Sequence, residues 1–144
     1  MYLPKRLQIT TKIWNKDCIQ FNNNTKIIIG NYNANSIRGR SIDLLVLDEA
    51  AFVKNKDFKE FIMSVFPVQC SRKDSQMIII STPNKVISEF HKLYDFAKYN
   101  KTSFNLEHLK WNCINSRNNE WRKRCKEMYK EDIFKREFLG EFTW

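Results

Sequence analysis

A chain of 144 residues, 42% of them hydrophobic, has the material for one globular core. Its 25 Lys and Arg outnumber 16 Asp and Glu, giving a net charge of +9 and a pI of about 9.5; this favours a polyanionic partner, nucleic acid first, although the many Lys, Asn and Ile residues also fit an AT-rich genome. No apolar run approaches the ~20 residues of a membrane helix, and Cys18, Cys70, Cys113 and Cys125 form no C-x-x-C pair and are not spaced as zinc partners of His91 and His108, so reduced thiols in a cytosol are expected.

In chain order, residues 1–5 read as a lead-in, with Pro4 blocking regular pairing. Residues 7–13 carry β-branched side chains and suggest a strand. Cys18 to Phe21 and Lys26 to Ile29 flank Asn22-Asn23-Asn24-Thr25, a β-hairpin signature. The run Ile27-Ile28-Ile29 predicts a buried strand. Residues 30–41 are polar and irregular, with Arg38-Gly39-Arg40 as their notable feature. Glycine there permits unusual backbone angles, and the arginines can meet phosphate or simply remain solvated.

Residues 41–52 organise the rest. The apolar run Leu44 to Leu47 predicts a strand buried on both faces, as in a parallel sheet. It ends in Asp48 and Glu49, followed by Ala50 and Ala51. In open α/β sheets ligands sit beyond the carboxyl ends of strands, and two carboxylates there suit a hard cation and an activated water. Asp48 would hold Mg²⁺, directly or through its water shell, and Glu49 would orient or deprotonate the water. This is the Walker B pattern of a nucleotide hydrolase. An Asp-Glu pair can equally open a helix, because carboxylates favour the first turn.

Asp57 to Val65 has apolar residues at helical spacing, with Asp57 as N-cap and Pro67 as terminator. Met77 to Ile80 predicts a second buried strand, running into Ser81-Thr82-Pro83-Asn84. If it lies parallel to 44–47, its hydroxyls reach the edge that carries Asp48 and Glu49, and the link from 49 to 77 is long enough for a crossover helix. Val86 to Lys98 predicts an amphipathic helix starting near Ser88. Thr102 to Trp111 alternates partly, as a strand would, and Asn112 to Asn119 is loop. Glu120 to Tyr129 predicts a charged helix with Trp121, Cys125, Met128 and Tyr129 on one stripe; its other face is solvated or meets DNA phosphate. Phe134 to Phe142 closes the chain against the core. Strands alternating with helices imply an α/β three-layer domain. The three glycines, Gly30, Gly39 and Gly140, include no Gly-Lys dipeptide, so the phosphate-cradling G-x-x-x-x-G-K-[ST] loop is not in this sequence.

Ser36 to Ser41, then Leu44 to Phe52, then Ile78 to Asn84, and finally Phe134 to Phe142 together resemble the large terminase subunit of tailed bacteriophages, the motor that packages viral DNA. The resemblance runs from about Cys18 to the end. It implies a P-loop NTPase-like fold of the additional-strand class, a mostly parallel sheet, incomplete here without the Walker A strand and loop. Residues 1–144 would be a partial ATPase domain, its second half, without the nuclease domain. By the same resemblance Glu49 is the catalytic carboxylate and Asp48 the Mg²⁺ contact. Arg38 stands where the family keeps an arginine proposed to reach a neighbouring subunit's nucleotide. Ser81, Thr82 and Asn84 form the coupling motif at the nucleotide, Thr82 sensing the γ-phosphate. Implied cofactors are Mg²⁺ and ATP. Implied partners are double-stranded DNA, a portal, a small terminase subunit, sister copies in a ring and a companion chain bearing Walker A, all in the host cytoplasm. Strand 77–82 would then be an open edge. Two other readings stand beside this one: a helicase-type motor, whose motifs fit less well at Ala51 and Ser81-Thr82-Pro83, and a non-catalytic nucleic-acid-binding or assembly module.

Overall fold

The computed structural model describes residues 10–37 and 39–144; the lead-in around Pro4, the first part of the 7–13 segment and Arg38 lie outside the described residues. From Thr10 the chain builds an antiparallel meander, β1 (Thr11–Trp14), β2 (Cys18–Phe21) and β3 (Lys26–Ile28). Asparagines make its turns. Asn24 adopts a left-handed φ of 66°, and the Asn23 side chain accepts the Thr25 N–H at 3.0 Å. The expected burial of the isoleucine run is not met. Ile27, Ile28 and Ile29 are all exposed, as are Ile13 and Trp14, so the apolar side chains of this sheet stand largely uncovered.

The second sheet pairs β4 (Leu44–Leu47) with β5 (Gln76–Ile79) in parallel, in register from Leu44↔Gln76 to Leu47↔Ile79. Helix α1 (Asn55–Cys70) makes the crossover between them. Side chains alternate along a strand, and only one alternation is covered: Leu45, Leu47, Met77 and Ile79 pack with Ile37, Phe61 and Val65. Leu44, Val46 and Ile78, on the other alternation, are 52%, 50% and 44% exposed. The burial of 44–47 on both faces is therefore corrected. The fold is mixed α/β with a small parallel sheet, but the mostly parallel, three-layer sheet expected is not what the described residues form: three of the five strands make a separate antiparallel sheet, and one helical layer covers the parallel pair.

Helix α1 also departs from its sequence bounds. Lys54, not Asp57, occupies the N-cap, and Asp57 sits in the first turn, where a carboxylate is favourable. Pro67 lies inside the helix and does not end it. Near the last turn a proline removes a single donor, and its own carbonyl still accepts the Ser71 N–H at 3.1 Å. Phe58, Phe61, Val65 and Gln69 form the buried stripe.

Helix α2 (Glu89–Lys98) starts where Ser88 Oγ accepts the His91 N–H at 3.0 Å, as the sequence suggested. The segment 102–111 is not a strand. A side-chain tie takes the place of a ladder: His108 bonds Tyr94 Oη through Nδ1 (3.1 Å) and the Leu139 carbonyl through Nε2 (3.0 Å). A carbonyl only accepts, so Nε2 carries a hydrogen. Helix α3 (Asn119–Met128) is capped by Asn118, whose side chain accepts the Trp121 N–H at 2.9 Å. Helix α4 (Glu131–Phe134) continues as a π-helical turn, Lys135–Leu139. Gly140 ends it with φ of 68°; a Cβ there would meet His108 Nε2 at 2.5 Å, so both conformation and space require glycine. Phe142 packs on Phe90, His91 and Tyr94 with centroids 6.2, 4.4 and 5.0 Å apart. Thr143 then pairs in parallel with Lys85.

Candidate active site

Parallel pairing brings two chain segments out of the sheet side by side, Asp48-Glu49 from β4 and Ile80-Ser81 from β5. The ladder continues past the strands: Ile80 N–H donates to the Leu47 carbonyl (2.8 Å), and Ala50 N–H to that of Ile80 (3.2 Å). Buried Ala50 and Ala51 open a short 3₁₀ turn, Ala50–Phe52, that fits only small side chains. Ser81 Oγ accepts the Ala51 N–H at 3.1 Å and donates to the Thr82 carbonyl at 2.8 Å. Asn84 Nδ2 donates to the Ala51 carbonyl at 3.3 Å. The hydroxyl of Ser81 and the amide of Asn84 are thus engaged in bracing the turn that follows the acids.

Glu49 has φ 52° and ψ 37°, left-handed backbone for a residue with a side chain. That conformation costs roughly 1–2 kcal/mol, and residues held this way cluster at functional sites. Asp48 Oδ1 accepts the Glu49 N–H at 3.0 Å. Both side chains are exposed, and among the described residues neither pairs with a Lys, Arg or His. Two adjacent carboxylates held without cations can meet a ligand or a cation from solution.

Tyr32, which the sequence reading passed over, holds the acid pair from beneath. Its hydroxyl donates to the Asp48 carbonyl at 2.7 Å, and its ring lies 5.2 Å from Phe61 and 6.4 Å from Phe58. Burial first, then the charges of Asp48 and Glu49, push the phenol pKa up to about 12. A lone aromatic in the Asn-rich loop 30–41 was the available signal. Described residues of that loop are tied by their own polar groups. Asn33 caps the turn Ala34–Ser36, and Arg40 Nε donates to the Ser36 carbonyl at 2.9 Å. Gly39 takes φ of 72°, which answers to the conformational freedom expected of it. Arg38 lies outside the described residues.

Asp48, Glu49, Ser81 and Asn84 therefore stand together, and Thr82 adjoins them, partly buried. Asn55, also unforeseen, links the starts of two helices: Nδ2 donates to the Ile87 carbonyl (3.3 Å) and Oδ1 accepts the Glu89 N–H (3.1 Å).

A parallel α/β unit with an acid pair at its carboxyl edge belongs to the architectural class whose ligand sites lie at strand ends. Within that class, the chain matches the family described as terminase large subunit, T4likevirus-type, N-terminal, over residues 2–144, and belongs to it. The resemblance noted above thus extends upstream of Cys18, and membership implies a role in phage DNA packaging within a complex of DNA and other packaging proteins. Among the described residues no helix is long and apolar enough to cross a membrane.

Proposed function

We propose that this chain supplies the acid side of an Mg-ATP hydrolysis site that drives translocation of double-stranded DNA into a procapsid. The observation that carries the reading is Glu49: an exposed carboxylate, held in left-handed backbone at the carboxyl end of a parallel strand, beside a second acid. In this reading Glu49 orients the attacking water and accepts its proton. Ser81 and Asn84 act as positioning residues through the Ala50–Phe52 turn, and Thr82 reads the terminal phosphate. Arg38 reaches the nucleotide of a neighbouring copy in a ring that works with a portal and a small subunit.

The donor set fits magnesium by its chemistry. The groups at hand are hard oxygens, and among the described residues no three His, Cys, Asp or Glu side chains converge. Mg²⁺ is ordinarily held by one or two carboxylates, waters and phosphate oxygens, without an all-protein cage. Asp48 would hold it, and when bound the ion offsets phosphate charge.

The 144 residues contain no Gly-Lys, so the phosphate cradle has to come from another segment or a companion chain. The test is ATP turnover by the purified chain, alone and mixed with a separately expressed family fragment that carries Gly-Lys-Ser/Thr. Turnover is expected only in the mixture, and Glu49→Ala should lower it about 10²–10⁴-fold. Association of the two without turnover would favour a non-catalytic nucleic-acid-binding or assembly module. Turnover by the chain alone, well above its Glu49→Ala variant, would refute the divided site.

A further inference from the structure

Charge is unevenly distributed along this chain. Residues 110–130 contain Lys110, Arg117, Arg122, Lys123, Arg124, Lys126 and Lys130 against Glu120 and Glu127. Seven minus two is +5, more than half of the net +9 in 21 residues. The described ion pairs lie elsewhere: Lys56–Glu60, Arg72–Asp43, His91–Asp95, Lys92–Glu89, Lys135–Glu131 and Arg136–Glu137. Glu131, the nearest acid beyond α3, already accepts from Lys135 at 3.0 Å. None of the seven cations forms an ion pair among the described residues.

Two of these cations, Arg117 and Arg122, rest on an aromatic base. Trp111 and Trp121 stack with centroids 5.9 Å apart and planes 20° from parallel, and Trp121 meets Phe138 edge-on at 5.3 Å. The Arg117 guanidinium lies 4.6 Å from the Trp121 centroid, and that of Arg122 lies 5.9 Å from Trp111. A guanidinium resting on a ring is held through its face, while its in-plane N–H groups remain able to donate. Arg122 Nε is buried and has no hydrogen-bond partner among the described residues. Lys123, Arg124 and Lys126 are exposed on α3.

We infer that this segment, Lys110 to Lys130, is a phosphate-contacting surface for duplex nucleic acid, read through the backbone without base stacking. The two tryptophans are occupied by each other and by arginines, so they offer little free face to an unstacked base, whereas single-strand binders present open aromatic platforms. Unpaired, partly pre-oriented cations on a short helix suit sequence-independent phosphate contact. The choice of duplex rests in part on the packaging role; the phosphate chemistry rests on the segment alone.

The experiment measures binding of the full chain to a labelled DNA duplex by fluorescence anisotropy over a range of salt concentrations. One variant combines Lys123→Gln, Arg124→Gln and Lys126→Gln. A control with the same charge change combines Lys16→Gln, Lys26→Gln and Lys73→Gln, all exposed elsewhere. Circular dichroism establishes that both fold. The α3 variant should lose at least about tenfold in affinity at low salt, and its log K against log salt slope should shrink by about 2 to 3. The control should lose far less. Equal losses in the two variants would reduce the surface to overall charge and overturn the inference, as would tighter binding to single strands than to duplex, or no duplex binding at all. ATP turnover does not enter this measurement, so failure of the hydrolysis reading and failure of this one are distinguishable.

Discussion

The two faces of the β4–β5 pair are made of the same kind of residue and have opposite surroundings. On one, Leu47 is buried and Leu45, Met77 and Ile79 are partly buried against α1 and the loop bearing Ile37. On the other, Leu44, Val46, Ile78 and Ile80 meet solvent. A continuous apolar strand is usually covered on both sides, so the difference separates what the sequence is built for from what the described residues supply. An apolar face of this kind is where another element, or another chain, has something to gain.

Substitution on the two faces breaks the comparison most directly. Phe61→Ala, on the covered side, should cost about 3–5 kcal/mol, read from the urea midpoint. Ile78→Ser, on the open side, should change stability by less than about 0.5 kcal/mol and reduce self-association. A cost at Ile78 comparable to that at Phe61 would mean that the open face is covered in solution.

A smaller effect is expected at the edge where the two faces meet. Glu49→Gly relieves the left-handed backbone and should gain about 1 kcal/mol, while abolishing turnover in the completed site. Loss of stability instead would make the side chain structural. This variant therefore separates strain kept for chemistry from strain kept for folding.

An effect of similar size concerns Tyr32, which joins the covered face to the acid pair. Tyr32→Phe removes one hydrogen bond to the Asp48 carbonyl, about 1 kcal/mol near neutral pH. The sign of its pH dependence follows from the raised pKa. Because the folded state retains the phenol proton up to about 12, above the ordinary value near 10, the contribution is complete below pH about 10 and is lost as the pH rises through 12. Unfolding of the parent and of Tyr32→Phe across that window should show the parent's advantage declining. An advantage that grows with pH would contradict the contact.

How much of this was legible in the sequence depended on the range of the forces involved. The Asn cluster, Ser88 as a cap, and the parallel placement of 76–79 beside 44–47 follow from local chemistry and crossover length, and all are present in the fold. Burial was not legible. Ile27 to Ile29 and Val46 have the composition of a core, but exposure depends on neighbours that composition does not specify. The segment 102–111 alternates like a strand, yet the side chain of His108 holds it. At the site, the acids and the Ser-Thr-Pro-Asn segment were visible as motifs. The bracing functions of Ser81 and Asn84 were not, because both depend on contacts 30 and 33 positions away in sequence, to Ala51. Tyr32 was hidden for the same reason.

The pairing of Thr143 with Asn84 and Val86 has a mechanical consequence. Three short bonds join these segments: Thr143 N–H to the Asn84 carbonyl at 2.9 Å, Thr143 Oγ1 to the same carbonyl at 3.3 Å, and Val86 N–H to the Thr143 carbonyl at 2.7 Å. The side chain of Asn84 holds the Ala51 carbonyl, two residues from Glu49. Load applied at Thr143 is therefore shared between Val86 and Asn84, and Asn84 also holds the turn behind the acid pair. Among the described residues, Asn84 thus joins this clasp to the turn that follows the acids, beside the brace from Ser81.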